Sequence, residues 1–332
     1  MRSPFDTIPA MKSPTAFLWE QHCCLPLSPK ADVGELARYL QPGGSVVSVN
    51  VGYAPHDYGF VLRLLEAFGQ GVVADGRLLL ASSINEIATA RDRGRVAVVF
   101  DLEDSGPLDG RLERVQELYD LGVRTMLPTY NRRNAAGSGC LDTTDEGLTE
   151  YGRALVREMN TVGMVVDGSH CSVQTGLDLC ETSTQPVVYS HSCMRGLWDH
   201  PRNITDDQAR ACAETGGVIG ITGVGIFLGP NHASIDAMID HVDYAVELVG
   251  PEHVGLSTDF VFDDHGLDIG PDDAYLFDES YARWDEVDDL PPERLLEVGD
   301  RLRERGYPDR AVAAILGGNF LRVAGQLWRA PG

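Results

Sequence analysis

Val165-Val166-Asp167-Gly168-Ser169-His170 and Val187-Val188-Tyr189-Ser190-His191 are short apolar runs that end in the same Ser-His pair, 21 residues apart. That separation has room for one crossover helix. The runs therefore read as adjacent parallel strands that deliver both imidazoles at the same end. Three other apolar runs finish in the same manner. Phe17-Leu18-Trp19-Glu20-Gln21 leads to His22, Ala97-Val98-Val99-Phe100-Asp101-Leu102 leads to Glu103, and Val254-Gly255-Leu256-Ser257-Thr258 leads to Asp259. Strands that carry titratable or metal-binding groups at their C-terminal ends are how a (β/α)8 barrel assembles an active site.

Outward from these runs, the β-branched apolar segments near 16–22, 45–51, 96–102, 124–129, 164–168, 187–190, 217–222 and 254–258 make eight candidate strands. Near-continuous apolar strands are buried on both faces, as in parallel sheets. Helical periodicity lies between them. Leu62, Leu65 and Phe68 share one helix face, and Ile235, Met238, Ile239, Val242, Val246 and Val249 share another. Thr149 and Thr205 are placed to cap helices, and Gly216 lies where the second of those helices should end. The expected class is α/β, a TIM-type barrel of the metal-dependent hydrolase kind. One catalytic domain is expected over 15–328, after an N-terminal extension over 1–14 and with an acidic, aromatic excursion near 263–292.

Composition narrows the partners. The chain has 332 residues, 27 basic and 50 acidic, for a net charge of −23. So negative a surface repels phosphate backbones and anionic lipid headgroups, which argues against nucleic-acid and membrane partners. Seven cysteines form no CxxC pair and no regular framework, as expected of reduced thiols. There is no apolar leader run and no stretch of membrane-spanning length, so the expected location is cytoplasmic.

Each candidate group has a structural reading beside the chemical one. His170 and His191 can share a cation, since neutral imidazole is a good ligand for Zn2+. Glu103 is either a carboxylate that bridges two ions or a charged residue after a strand. His22 and Cys24, two apart at a strand end, can reach one ion together, or Cys24 is a buried thiol. Asp259 can accept a proton from an attacking water and pass it to a leaving amine, or it caps a turn. Arg202 suits a grip on a substrate carboxylate, or a surface ion pair. No GxGxxG after a strand, Walker loop, HExxH or GxSxG elbow is present.

In this order and spacing, the residues resemble the membrane (renal-type) dipeptidases, the M19 metallopeptidases of the amidohydrolase superfamily. The likeness runs from about Thr15 to Leu327. It is carried by Asp167-Gly168-Ser169-His170, Tyr189-Ser190-His191-Ser192, His200-Pro201-Arg202-Asn203-Ile204-Thr205-Asp206-Asp207, Thr258-Asp259-Phe260 and Leu316-Gly317-Gly318-Asn319-Phe320. The resemblance implies a zinc-dependent dipeptidase that takes a small peptide-like substrate, including one with a C-terminal D-residue, or an N-acyl amino acid. It also implies a homodimer. It places the bridging glutamate on Glu103, further zinc ligands on His22, His170 and His191, the substrate-carboxylate arginine on Arg202 and the proton-handling aspartate on Asp259.

Two departures stand out. The family opens with His-x-Asp, whereas this chain reads His22-Cys23-Cys24, so Cys24 stands where an aspartate ligand belongs. Either a thiolate replaces the carboxylate, or one of two Zn2+ ions is weakly held or absent. Tyr130 stands where well-known members place a histidine that contacts substrate. Tyr can still donate to a developing oxyanion but carries no positive charge near neutral pH. The Cys24 departure motivates an alternative: a member with lost or altered hydrolysis that binds or converts a small amino-acid-like ligand.

Overall fold

The computed structural model describes residues 17–262, 274–284 and 286–329. The expected N-terminal extension over 1–14 lies outside the described residues, as does the part of the expected excursion over 263–273. Parallel strands are β1 (Leu18–Cys23), β2 (Ser45–Asn50), β3 (Leu78–Leu80), β4 (Val96–Leu102), β5 (Val123–Met126), β6 (Val165–Asp167), β7 (Val187–Tyr189), β8 (Val218–Ile221) and β9 (Val254–Leu256). All but β3 follow one another in the order β1-β2-β4-β5-β6-β7-β8-β9. This is a nearly closed eight-stranded parallel barrel of the TIM type.

Closure comes from the tail of β1. Cys24 forms a parallel bridge with Val261. Cys24 N–H donates to the Phe260 carbonyl at 2.9 Å, and Asp259 N–H donates to the His22 carbonyl at 3.1 Å. The register of β1 against β2 slips between Glu20 and Cys23. Such a bulge re-aims side chains at a barrel rim.

The sequence pattern misses β3. It pairs with the first half of β4, along the edge whose second half pairs with β5. Three residues are too few to show a period. The face expected for the helix Tyr58–Ala74 also shifts. Val61, Leu64, Leu65, Phe68 and Val72 are its buried residues, and Leu62 is only half-buried. The caps stand as expected: Thr149 accepts from Gly152 N–H, and Thr205 forms a capping box with Gln208.

Strand alternation sorts the side chains. Val47, Val49, Val98 and Phe100 pack outward with the helices. Trp19, Val46, Ala97, Val99, Val165, Val188 and Val218 fill the lower barrel with Phe320 from the last helix, Asn319–Leu327. Moving up β2 and β4, the paired inner positions change from Val46 and Ala97 to Ser48 and Val99, then Asn50 and Asp101. An apolar plug thus supports a polar floor at the C-terminal mouth. Residues 274–284 lie against that mouth. Phe277 packs by Tyr130 with ring centroids 6.3 Å apart, and Tyr281 by Phe227 at 5.7 Å. No helix among the described residues is long and apolar enough to cross a membrane.

Candidate metal centre

The repeated Ser-His motif has a local cause. Asp167 Oδ1, buried at the end of β6, accepts from Ser169 N–H at 2.9 Å and from Ser190 N–H at 3.0 Å. One carboxylate therefore ties the tips of β6 and β7 together. His191 N–H then donates to Ser169 Oγ at 3.2 Å. The two imidazoles leave those tips facing each other, with Nε2 atoms 3.0 Å apart.

Glu103, from the end of β4, completes the group. Its Oε1 lies 3.3 Å from His22 Nε2, 3.4 Å from His170 Nε2 and 3.4 Å from His191 Nε2. Asn50 donates to the other oxygen, Oε2. The ring of His22 stacks on that of His191 with centroids 4.1 Å apart. The bulge in β1 leaves Cys24 Sγ 3.5 Å from His22 Nε2. Asp259 Oδ1 is 3.7 Å from the same nitrogen. His170 and Asp259 both take positive φ, 62° and 55°. Left-handed backbone at residues other than glycine costs energy, and such strain gathers at functional sites.

The outward nitrogen of each imidazole is engaged. His22 Nδ1 meets Asp101 Oδ1 at 3.0 Å, His170 Nδ1 meets Asn131 Oδ1 at 2.7 Å, and His191 Nδ1 meets Ser190 Oγ at 2.6 Å. At His170 and His191, with Nδ1–H donating outward, Nε2 presents a lone pair inward, whereas Asp101 and Glu103 hold His22 well above its ordinary value against burial, so that ring carries the positive charge of the cluster. Facing lone pairs 3.0 Å apart repel unless a cation or proton sits among them. Three overlapping sets, His22/Cys24/Glu103, His22/His191/Asp259 and Glu103/His170/His191, each have donor atoms within 4.8 Å of one another. Imidazole, carboxylate and thiol in that arrangement, with the outer nitrogens fixed by acceptors, fit a borderline-soft divalent cation such as Zn2+.

Electrostatics agree with the geometry. Burial, with Arg202 adding to it, pushes His170 down to about 3. Burial also takes His191 well below its ordinary value, so both rings are neutral. Burial works against charge on Glu103 too, but the positive charge on His22 holds it ionised, well below the usual carboxylate range. Burial pushes Asp259 up to about 7 against the pull of His22, and the Cys24 thiol up to about 12.

Arg202 is 2% exposed, which removes the surface ion pair as its role. Its Nη1 donates to Ser192 Oγ at 3.0 Å and its Nη2 to the His191 carbonyl at 2.7 Å, while Nε–H has no partner among the described residues. Tyr130 stacks on His170 with centroids 4.1 Å apart. Asp104, next to Glu103, faces away and accepts from Tyr130 N–H at 2.7 Å.

The sequence pattern passed over Asp101, Asn131, Ser190 and Asn50, the groups that orient the others. A signal existed for one of them. Asp101 precedes Glu103 by two, so both share the inner face of one strand.

A family model described as membrane dipeptidase (peptidase family M19) matches residues 61–330. Among curated proteins, an uncharacterized protein in the pqqA 5′ region of Klebsiella pneumoniae is 32% identical over 265 residues, covering 76% of this chain and 90% of that protein. An uncharacterized dipeptidase of Schizosaccharomyces pombe is 31% identical over 236 residues, 70% of this chain, and the chain spans only 53% of its length. Among solved structures, an amidohydrolase from Pseudomonas aeruginosa superposes with a TM-score of 0.85 at 23% identity, covering 94% of this chain and 97% of that one.

Proposed function

We propose that this chain, which belongs to the membrane dipeptidase family (peptidase family M19), hydrolyses a small dipeptide or N-acyl amino acid by attack of water at the amide carbonyl. The family is one of dipeptidase-type metallo-hydrolases. The observation that carries the finer reading is the meeting of three imidazole Nε2 atoms on one carboxylate oxygen, with Asp259 and a buried arginine beside them.

Zinc, as one ion or two held by His22, Cys24, Glu103, His170 and His191, would supply Lewis acidity and lower the pKa of water. The side chains divide the remaining work. Arg202 grips the free carboxylate of the substrate through its unpartnered Nε–H edge. Tyr130, stacked on His170, donates its hydroxyl to the carbonyl oxygen as negative charge develops there. Asp259 accepts a proton from the attacking water as the new C–O bond forms. It returns that proton to the nitrogen as the C–N bond breaks, so the amine leaves neutral. A C-terminal D-residue is within the proposed range, because the grip of Arg202 falls on the carboxylate and not on the side chain.

Metal content per chain, measured on protein purified without chelator, and a panel of L,L-dipeptides, L,D-dipeptides and N-acyl amino acids test this reading. At least one ion per chain and turnover of one substrate class are expected. A folded, metal-loaded protein inert on the whole panel would defeat it. Cys24, 3.5 Å from His22 Nε2, supports a second reading, a member with lost or altered hydrolysis. Cys24→Asp separates the two. A large gain in turnover and metal content favours the second reading, and a loss favours an enzyme adapted to a thiolate.

A further inference from the structure

Asn131 is fully buried directly after Tyr130, and three donors converge on its side-chain oxygen. His170 Nδ1 lies 2.7 Å from Asn131 Oδ1, the Tyr281 hydroxyl 3.4 Å and Cys140 Sγ 3.4 Å. An imidazole N–H, a phenol and a thiol can all donate, and a carbonyl oxygen accepts only. The structure turns the amide oxygen, not its NH2, toward all three, so each of them is the donor. This fixes the tautomer of His170, with the proton on Nδ1 and the lone pair on Nε2.

The backbone of Asn131 is held as firmly. Its carbonyl accepts from Leu141 N–H at 2.9 Å. Gly139 approaches so closely that a Cβ there would lie 2.3 Å from the Asn131 carbonyl carbon. With the main chain clamped, the amide has little freedom except to follow its three donors. One of these, His170, belongs to the proposed cation cluster. Another, Tyr281, belongs to the segment 274–284 at the barrel mouth, where it also packs on Phe277, Phe227 and His200 with ring centroids 5.2, 5.7 and 5.8 Å away.

We propose that Asn131 is a positioning residue that couples the seating of segment 274–284 on the barrel mouth to the orientation of His170, and so to the strength of cation binding. The inference rests on reading the cluster as a cation site. The chain of contact is short: Tyr281 hydroxyl to Asn131 oxygen, the same oxygen to His170 Nδ1–H, and His170 Nε2 inward toward Glu103. Loss of the Tyr281 donor frees the amide to rotate, and the imbalance is felt at the imidazole. Substrate that presses on Phe277 and Tyr281 would act on the cluster through the same atoms.

The test uses Co2+ as probe on the full chain. Its dissociation constant comes from competition with a chromophoric chelator, and its visible d–d bands report ligand geometry. Asn131→Ala should weaken Co2+ binding about 10–100-fold, as removal of the partner of a metal-ligating histidine usually does, and should shift the bands. Asn131→Asp, which keeps an acceptor, should restore most of that loss. Tyr281→Phe should weaken binding by about 3-fold or more in the parent, a modest coupling for groups in contact, and should have no effect when Asn131 is already alanine. Equal effects of Tyr281→Phe in both backgrounds, or parent-like affinity in Asn131→Ala, overturn the proposal and leave the proposed hydrolase standing. If Asn131→Ala does not fold, unaltered Co2+ affinity and bands in Tyr281→Phe alone overturn it. A parent protein that binds no Co2+ or Zn2+ removes the cation site, and the inference falls with it.

Discussion

Arg202 keeps a buried positive charge with no carboxylate at ion-pair distance among the described residues, Asp259 acting on it only from farther off. Two carbonyl- or hydroxyl-type acceptors hold its Nη atoms, and Nε is left over. A buried donor without a partner is costly, so the arrangement makes sense if an anionic group arrives. Arg202→Met should raise KM for a dipeptide with a free C-terminal carboxylate roughly 10–100-fold, the worth of a charged hydrogen bond in a desolvated place. The corresponding dipeptide amide should be affected much less, because it never made that contact. Equal losses on acid and amide would show that Arg202 only holds its loop. The candidate ligands were legible as single letters because each ends an apolar run. Asn131 and Ser190 were not, because a polar residue in a loop says nothing of which imidazole it will meet. Their roles depend on contacts 39 residues apart in one case and 1 in the other.

At the scale of elements, the close approach of β7 and β8 under His191 sets a strict requirement. A Cβ on Gly220 would lie 2.1 Å from the Ser190 carbonyl oxygen, and Ser192 N–H donates to the Gly220 carbonyl at 2.8 Å. The colliding atom belongs to the main chain, so it cannot swing aside as a long side chain would. Gly220→Ala should cost at least about 2–3 kcal/mol in chemical denaturation, the upper range for overpacking. It should also lower metal content, because the strain falls between Ser190 and Ser192, on either side of His191. Parent-like stability would mean that the strands separate more easily than their pairing suggests. The eight barrel strands were legible because burial on both faces leaves short, near-continuous apolar runs, β-branched in all but the first. β3 was not, since Leu78-Leu79-Leu80 is equally at home in a helix. Nor was the bulge in β1, which is a property of two strands in register and leaves no mark on one of them.

Over the whole molecule, the proposed cation site spans the seam where the barrel closes. Its donors come from β1, from β4, from the tips of β6 and β7, and from the turn after β9. The end strands themselves meet through one bridge, Cys24 to Val261, and a few backbone bonds. A cation held there would link the first strand to the last and to three others between them. It would also separate nitrogen lone pairs that otherwise face each other at 3.0 Å. Binding to the folded state alone adds about 4 kcal/mol when free cation exceeds its dissociation constant a thousandfold. For a chain of this length that corresponds to a fall in Tm of roughly 5 °C or more on chelation. Added Zn2+ should reverse the fall, and Mg2+, which prefers an all-oxygen octahedron, should not. A reductant should leave Tm unchanged, since all seven cysteines are free thiols. A metal-containing preparation whose Tm ignores chelator would mean that the cluster is held together by the barrel alone, and that the cation contributes chemistry without contributing to the seam.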